Sequence, residues 1–361
     1  MTNKYYSLNK IKKKNAVYNV IFGERSNGKT YALLKEGIKV YLEKGGQMAI
    51  VRRWKEDITG KRASGIFNAI NENGVVAELT KGEFQGIHYY NGKFFLCNYN
   101  ENKVVYSDTD CVGYTFALSD NEHNKSISYP KIQTIIFDEF LTKHMYLNDE
   151  FVLFMNTIST IVRQRTDVKI YMLGNTVNKY CPYFDEMGLK NILQMKQGSI
   201  DVYSYGDSSL KVAVEYCSST ANKKENNFYF AFNNPKLSMI TGGAWELNLY
   251  PHLPMKFKPK DIQFIYFIDF ADNIFQCEIV MIGDITFTFI HQKTTEIQNP
   301  DSDLIYTLDY IPKMNYNRSI FKPINKLQER VLWYFKTDRV FYQNNDVGDS
   351  VHNFLKLCKR G

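Results

Sequence analysis

Apolar residues in the first half of the chain fall into short runs, which polar turns and segments of helical spacing separate. These runs are rich in β-branched and aromatic residues, and they predict strands over Ala16–Phe22, Met48–Val51, Lys131–Phe140 and Val168–Leu173. Two intervening segments, Tyr31–Leu42 and Glu150–Arg165, carry apolar residues at the spacing of amphipathic helices. Strands that alternate with helices in this way indicate an α/β domain built on a parallel sheet.

A second pattern, that of antiparallel strands, occurs twice. Between Ile87 and Tyr106, alternating runs flank Asn91-Gly92, which is a strong hairpin signal, and Val112–Leu118 continues as a further strand. The segment Asp261–Thr294 contains three consecutive strands. Helical segments follow it at Lys326–Tyr334 and Asp349–Leu357. The last part of the chain therefore predicts a second, small α/β domain.

The segment Gly23–Thr30, G-E-R-S-N-G-K-T, matches the phosphate-binding P-loop pattern G-x-x-x-x-G-K-[ST]. It lies between a predicted strand and a predicted helix, which is the context that this pattern requires. Its glycines allow successive N–H groups to face one anion at the start of a helix. Lys29 would reach the β- and γ-phosphates of ATP, and the hydroxyl of Thr30 would ligate Mg²⁺. The predicted phosphate-binding residues are Gly23, Glu24, Arg25, Ser26, Asn27, Gly28, Lys29 and Thr30.

Two adjacent acids, Asp138 and Glu139, end the third predicted strand. A continuous apolar strand suits a parallel sheet that is covered on both faces, and its carboxyl end would lie beside the P-loop. Asp138 would hold Mg²⁺, directly or through water, and Glu139 would polarise the water that attacks the γ-phosphate. The alternative is a strand that simply ends in a charged turn.

Further polar residues follow the other predicted elements. Arg52 and Arg53 end the second strand, where either could contact phosphate or pair with a surface carboxylate; we assign Arg53 to the nucleotide. Asn175 follows the fourth strand and would either sense the γ-phosphate or form a turn. Arg163 and Arg165 follow the second helix, either as a finger for a neighbouring subunit's γ-phosphate or as favourable charges at a helix C-terminus.

The order of these elements describes a RecA-like, additional-strand P-loop ATPase domain. The composition changes after Tyr205, where a polar stretch is followed by glycines and prolines. We therefore predict an ATPase domain over residues 1–205, a linker or lid over 206–255 and a C-terminal α/β domain over 256–361.

Composition adds limited information. A net charge of +7 fits a polyanionic partner or ordinary solubility equally well. The six cysteines form no C-x-x-C pair, which disfavours zinc and fits a reducing compartment. No apolar run is long enough for a membrane helix, and the basic segment 1–15 lacks the apolar core of a secretory signal. Tyr5 and Tyr6 in that segment either belong to a frayed arm or cover the adenine.

Together, G-E-R-S-N-G-K-T, I-I-F-D-E-F, the looser V-R-R and L-G-N-T, and the C-terminal meander resemble the DNA-packaging ATPases of tailed phages, especially the DNA encapsidation proteins of small podoviruses. The resemblance implies an ATP-driven motor that forms a ring of five subunits on the portal of an empty prohead. It implies double-stranded DNA in the channel of the ring, and a structural RNA is a further possible partner. It also implies that the protein acts in the host cytoplasm, transiently attached to the prohead.

In that family the second domain resembles an RNase H-type nuclease, and the strands around F-I-D-F place Asp269 near a metal-ligand position. A two-metal nuclease needs several carboxylates, and Asp301, Asp303 and Asp309 fall in predicted loops. We therefore expect a degenerate domain without nuclease activity, which contacts DNA, RNA or the portal. Scattered lysines and one arginine suit phosphate contact or are merely solvated: Lys256, Lys258, Lys260, Lys356, Lys359 and Arg360.

Other functions remain open at this point. A helicase or a nucleotide kinase would use the same P-loop, although Glu139 favours hydrolysis over transfer to a substrate hydroxyl. An active metal-dependent nuclease in the C-terminal domain is a further alternative. A non-enzymatic nucleic-acid adaptor would not need the intact set Lys29, Thr30, Asp138 and Glu139.

Overall fold

The first unit of the chain is organised on one mixed sheet. The computed structural model describes residues 6–25, 27–101, 103–120, 127–142, 146–176, 181–217, 250–253 and 255–358, and the chain divides into two units, Met1–Glu246 and Leu247–Gly361. The strands of the first sheet are β1 (Tyr18–Gly23), β2 (Gln47–Arg52), β3 (Gly86–Tyr90), β4 (Lys93–Asn100), β5 (Lys103–Ala117), β6 (Ile132–Asp138), β7 (Lys169–Asn175), β8 (Ile200–Ser204) and β9 (Lys211–Tyr216). Their order across the sheet is β3-β4-β5-β2-β6-β7-β1-β9-β8.

The centre of this sheet is parallel. Strands β5, β2, β6, β7, β1 and β9 run in one direction, whereas β3, β4 and β8 are antiparallel to their neighbours. Strand β7 lies between the P-loop strand β1 and the acidic strand β6. This order confirms the predicted additional-strand arrangement of a RecA-like P-loop domain.

The register of β1, β6 and β7 brings their carboxyl ends to one edge of the sheet. Gly23 of β1 is the partner of Asn175 of β7, and Leu173 of β7 is the partner of Asp138 of β6. Ligands of open α/β sheets bind at this edge. The polar residues that end these three strands therefore lie near each other.

Helices cover both faces of the parallel strands. The described helices of the first unit are α1 (Asn9–Lys12), α2 (Lys29–Lys44), α3 (Gly60–Gly65), α4 (Asn68–Glu72), α5 (Val75–Leu79), α6 (Glu150–Val162) and α7 (Pro182–Glu186). Ile21 packs in one hydrophobic cluster with Leu33 of α2, on one face of the sheet. The next residue, Phe22, packs in a second cluster with Phe154 of α6, on the other face. Strand β1 is therefore buried along its whole length, as its continuous apolar sequence predicts.

Two features of this sheet differ from the sequence-based expectations. The predicted run at Val112–Leu118 is not a separate strand, because β5 continues without a break from Lys103 to Ala117 and pairs first with β4 and then with β2. The predicted domain end at residue 205 falls between β8 and β9, which pair with each other, and β9 also pairs with β1. The first sheet thus extends to Tyr216. Most of the predicted linker, residues 218–249 and Pro254, lies outside the described residues.

The second unit contains another mixed sheet. Its strands are β10 (Ile262–Phe270), β11 (Asn273–Ile282), β12 (Ile285–Lys293), β13 (Ile305–Thr307), β14 (Tyr316–Asn317) and β15 (Val340–Tyr342), in the order β14-β13-β10-β11-β12-β15. The first three form the predicted antiparallel meander, and left-handed residues at Asp272 and Gly283 close its turns. Helices α8 (Lys326–Lys336) and α9 (Asn345–Cys358) follow, and Phe354 of α9 packs against Phe270. The predicted second α/β domain is confirmed.

Candidate nucleotide site

The P-loop connects β1 to α2, and its glycines have backbone conformations that other residues rarely adopt. Gly23 has a φ of +151°, and a Cβ at this position would lie 3.1 Å from the Cβ of Cys217. Gly28 has a φ of +88° and directly precedes α2, so the loop ends at a helix N-terminus. This arrangement gives an anion several N–H donors and the positive end of a helix dipole. Ser26, a predicted member of the loop, lies outside the described residues.

The ammonium of Lys29 is buried within this loop. Its Nζ donates to the carbonyl oxygen of Glu24 at 2.6 Å and to Oδ1 of Asn175 at 3.3 Å. Burial lowers the pKa of Lys29, and the nearby Cys217, Asp138 and Glu24 oppose this effect. The side chain of Asn175 therefore lies beside the P-loop lysine, as its predicted sensor role requires.

Thr30 and Asp138 face each other across the same cavity. The Thr30 hydroxyl donates to the Asp138 carboxylate, at 3.3 Å from Oδ1 and 3.4 Å from Oδ2. Burial raises the pKa of Asp138, although Arg52 and Thr30 counteract it. A hydroxyl and a carboxylate at this separation are oxygen ligands of the kind that Mg²⁺ prefers, so these residues fit a magnesium site.

Arg52 bridges the two adjacent acids. Its guanidinium contacts Asp138 Oδ2 at 2.8 Å and Glu139 Oε2 at 2.6 Å. Its Nε is buried and has no hydrogen-bond partner among the described residues. The backbone of Glu139 is left-handed, with a φ of +61°, and its side chain is 62% exposed. Arg52 therefore lines the candidate phosphate site, next to the predicted base Glu139.

The prediction chose Arg53 for the nucleotide, but in the structure Arg52, and not Arg53, lines the cavity. Consecutive residues of an extended segment point in opposite directions, and the guanidinium of Arg53 enters the core. There it donates to Glu150 at 2.7 and 2.8 Å, and its Cζ lies 4.9 Å from the ring centroid of Tyr146. Burial opposes the charge of Arg53, but the hydrogen bonds and charge of Glu150 outweigh it and raise the pKa of Arg53.

The candidate nucleotide site is a cavity of about 330 Å³ at the carboxyl edge of the sheet. Its walls are formed by Asn27, Gly28, Lys29, Thr30, Tyr31, Arg52, Asp138, Glu139, Leu173, Gly174 and Asn175. The sequence-based set omits Arg52, Tyr31, Leu173 and Gly174. Because side chains alternate along an extended strand, the sequence indicates that Arg52 and Arg53 lie on opposite faces of the sheet. It does not indicate which of the two arginines faces the ligand.

Arg163 and Arg165 lie at the opposite edge of the sheet from this cavity. Arg163 donates to the carbonyl of Ile127 at 3.3 Å, and Arg165 donates to that of Pro130 at 2.9 Å. Both acceptors precede β6, whereas Asp138 ends it. Arg165 also binds the carbonyls of Tyr129 and Ile161. Neither arginine therefore reaches the cavity of its own chain, and a role towards a neighbouring subunit stays a prediction.

Tyr6 supports the P-loop from the core side. Its N–H donates to the carbonyl of Asn27 at 2.9 Å, and its hydroxyl donates to Glu215 at 2.6 Å. The residue is buried, and this burial, together with Cys217 and Glu215, raises the pKa of Tyr6. Tyr6 is therefore part of the core and not of a frayed arm; Tyr5 lies outside the described residues.

Asp269, the predicted remnant ligand of the second domain, is near the end of β10. Burial raises its pKa, and the neighbouring Asp309 and Asp272 add to this effect. Among the described residues, no group of three or more His, Cys, Asp or Glu side chains could hold a metal ion. Of the basic residues considered for phosphate contact, Lys359 and Arg360 lie outside the described part of the chain. None of the described helices is both long and apolar enough to span a membrane.

The family model of the podovirus DNA encapsidation protein (Gp16) matches residues 2–204, which is more than half of the chain. The chain belongs to this family. A DNA packaging protein of Bacillus phage B103 is 31% identical over 176 residues, which are 48% of this chain and 48% of the relative. A DNA packaging protein of Bacillus phage phi29 is 28% identical over 183 residues, or 50% of this chain and 49% of the relative. The chain thus spans about half the length of the relatives that it matches.

Solved structures extend the likeness of the fold to both units of this podovirus-family chain. The phi-29 viral genome packaging motor assembly has a chain with a TM-score of 0.60 and 20% identity, covering 98% of this chain and 100% of that one. The phi-28 gp11 DNA packaging motor gives a TM-score of 0.55 and 16% identity, with 99% and 98% covered. At these identities the comparison shows a shared fold.

Proposed function

We propose that the chain is the ATPase of a DNA-packaging motor, which hydrolyses ATP and moves double-stranded viral DNA into a preformed prohead through the portal. The observation that supports this most is the meeting of Lys29, Thr30, Asp138 and Glu139 at one cavity, in a chain of the podovirus encapsidation family. The relatives from Bacillus phages B103 and phi29 are DNA packaging proteins, which agrees with this proposal.

Within this proposal the described side chains have distinct roles. The P-loop N–H groups and Lys29 bind the β- and γ-phosphates, and Asn175 orients Lys29 and senses the γ-phosphate. Thr30 and Asp138 would hold Mg²⁺, which would supply neutralisation of charge on the phosphate oxygens. Glu139 accepts the proton of the attacking water.

Arg52 adds a control that the sequence did not indicate. Its guanidinium pairs with the carboxylates of both Asp138 and Glu139. If Asp138 were to hold a metal, Arg52 would have to release this carboxylate. Its guanidinium would then be available to the γ-phosphate, where a cation would stabilise the charge of the transition state.

The assembly follows from the same proposal. The motor is a ring of five subunits on the portal of the prohead, with DNA and possible contact to a structural RNA, and it acts in the host cytoplasm while transiently attached to the prohead. Arg163 or Arg165 supplies a finger to the neighbouring subunit. The first unit carries out hydrolysis, and the second unit contacts DNA, RNA or the portal without cleaving DNA.

The decisive experiment measures ATP hydrolysis by the full chain alone, with double-stranded DNA, and with DNA and empty proheads. A packaging motor shows turnover that these partners stimulate and protects DNA inside proheads from added nuclease. A nucleotide kinase shows turnover that DNA and proheads leave unchanged. A non-enzymatic adaptor shows no turnover and no effect of Lys29→Ala, and a nuclease degrades the DNA when a divalent cation is present.

A further inference from the structure

Arg53 is the centre of a buried polar network directly behind the candidate nucleotide site. It is 6% exposed, and its Nε and Nη2 donate to the two carboxylate oxygens of Glu150 at 2.7 and 2.8 Å. The Glu150 side chain is fully buried. This geometry is a bidentate arginine–carboxylate pair, which fixes both partners in direction as well as in distance.

The same guanidinium holds the backbone that follows β6. Its Nη2 donates to the carbonyl of Phe140 at 2.8 Å, and its Nη1 donates to the carbonyl of Glu139 at 3.3 Å. Glu139 is the left-handed residue of this segment, and a non-glycine residue keeps such a conformation only where its surroundings impose it. Arg53 is therefore one of the groups that impose the backbone angle from which the Glu139 carboxylate projects.

The other side of the network is anchored at the start of α6. Glu150 accepts the N–H of Leu147 at 2.7 Å and the hydroxyl of Tyr183 at 2.9 Å, and Tyr146 covers the Arg53 guanidinium with its ring. Neither Arg53 nor Glu150 lines the cavity. A direct role in binding the nucleotide is therefore excluded for both in the geometry described.

We propose that Arg53 and Glu150 are positioning residues for the hydrolytic reaction: they hold the backbone of Glu139 so that its carboxylate is aimed at the attacking water. This inference rests on the proposed function, because it needs Glu139 as the base. In this proposal Arg53 and Glu150 themselves contact neither ATP nor the attacking water.

The choice of residue types supports positioning over stability. An apolar pair of similar volume at a buried ion-pair site often leaves a protein equally stable or more stable. Apolar side chains, however, donate no hydrogen bonds to the carbonyls of Glu139 and Phe140. Such a replacement would therefore remove the hydrogen bonds that fix the orientation of the Glu139 backbone, while the apolar packing of the core persists.

The test is the double variant Arg53→Met/Glu150→Leu in the full chain, with kcat, KM for ATP, ATP binding and urea unfolding measured beside the wild type. We expect a lower free energy of unfolding, because the carbonyls of Glu139 and Phe140 and the donors that Glu150 accepts lose their partners. In the folded variant we expect ATP binding and KM within about threefold of the wild type and kcat lowered by about 10²-fold, because small displacements of a catalytic group have effects of this size. Normal kcat in the folded double variant overturns the inference.

A second variant covers the case in which the double variant does not fold. Glu150→Gln keeps the shape of the side chain but loses the ion pair, and we expect a lower kcat per folded molecule with KM unchanged. Activity that merely follows the folded fraction overturns the inference, since that is what a purely structural pair produces. Tyr183→Phe is the matched control: it removes one hydrogen bond to Glu150 and leaves both bonds from Arg53, so kcat stays within about threefold of the wild type.

Glu139→Gln in the same assay separates the two proposals. If the wild type shows no turnover, the proposed function fails and this inference fails with it. If the wild type hydrolyses ATP, Glu139→Gln does not, and Arg53→Met/Glu150→Leu remains fully active, the inference alone is overturned.

Discussion

Arg52 and Arg53, neighbours at the end of β2, direct their guanidinium groups to different places: Arg52 to Asp138 at 2.8 Å in the cavity, and Arg53 to Glu150 at 2.7 Å in the core. One arginine therefore belongs to the phosphate site, and the other belongs to the structure that supports it. This difference makes the two residues distinguishable by experiment.

Alanine at each position should separate stability from turnover. Arg53→Ala leaves the Glu150 carboxylate buried and unpaired, so we expect a loss of about 3–5 kcal/mol in the free energy of unfolding. Arg52→Ala should cost less than Arg53→Ala, since one of its partners, Glu139, is largely exposed and the other, Asp138, keeps the Thr30 hydroxyl as a donor. It should lower kcat by about 10²-fold through the loss of a cation beside the γ-phosphate. Urea unfolding and ATPase assays measure both effects, and equal unfolding costs would contradict the assignment.

Glu139→Gln should bind ATP with nearly native affinity and lose turnover by at least about 10²-fold, because an amide cannot accept the proton of the attacking water. Binding of a fluorescent ATP analogue and phosphate release report the two properties separately. The matched control is Glu72→Gln, a substitution of an exposed carboxylate on α4, which should change neither. Normal turnover of Glu139→Gln would show that another group is the base.

Mixed rings should identify the arginine that acts between subunits. Arg165 donates to the carbonyls of Pro130, Tyr129 and Ile161 in its own chain, whereas the exposed Arg163 guanidinium makes a hydrogen bond of 3.3 Å to the carbonyl of Ile127. We therefore expect Arg163→Ala subunits mixed with Lys29→Ala subunits to recover part of the ATPase activity that each lacks alone. Recovery with Arg165→Ala and none with Arg163→Ala would reverse this choice, and recovery with neither would argue against a finger supplied in trans.

The pair of Glu278 and His291 should stabilise the second unit most at intermediate pH. Its small contribution to the free energy of unfolding should decrease at higher and at lower pH. The hydrogen bond to Glu278 raises the pKa of His291 above 6.5, so this contribution is complete below pH 6.5 and disappears as the pH rises through the folded pKa. Burial would raise the pKa of Glu278, but His291 and Gln276 outweigh it and lower the pKa below 4.5. The Glu278 contribution is therefore complete above pH 4.5 and disappears as the pH falls.

His291→Gln tests this window. We expect the variant to be less stable than the wild type by about 1 kcal/mol at about pH 5.5 and equally stable at about pH 8.5, as urea unfolding followed by fluorescence would show. His252→Gln, a change at an exposed histidine of the same unit, is the matched control. A constant difference for His291→Gln across this range would mean that the ion pair contributes nothing.

Local patterns predicted most of the residues that line the cavity. The P-loop and the acidic strand are contiguous segments, so their residue types and spacing carry the information, and the parallel order of β1, β7 and β6 places them together. The pair Arg53–Glu150 could not be predicted in this way, because 97 positions separate its members and no local pattern around either residue indicates the other. Strand β9 was assigned to the wrong side of a domain boundary for a related reason: its parallel pairing with β1 is not local.

The turn between β3 and β4 has a practical use. Asn91 is exposed there with a left-handed backbone, and β3 is the outermost strand, four strand positions from β6. At a strand spacing of about 4.8 Å, this is roughly 20 Å from the acidic strand. A fluorophore attached at this tip would report the rotation or tilt of a working subunit while leaving its chemistry intact.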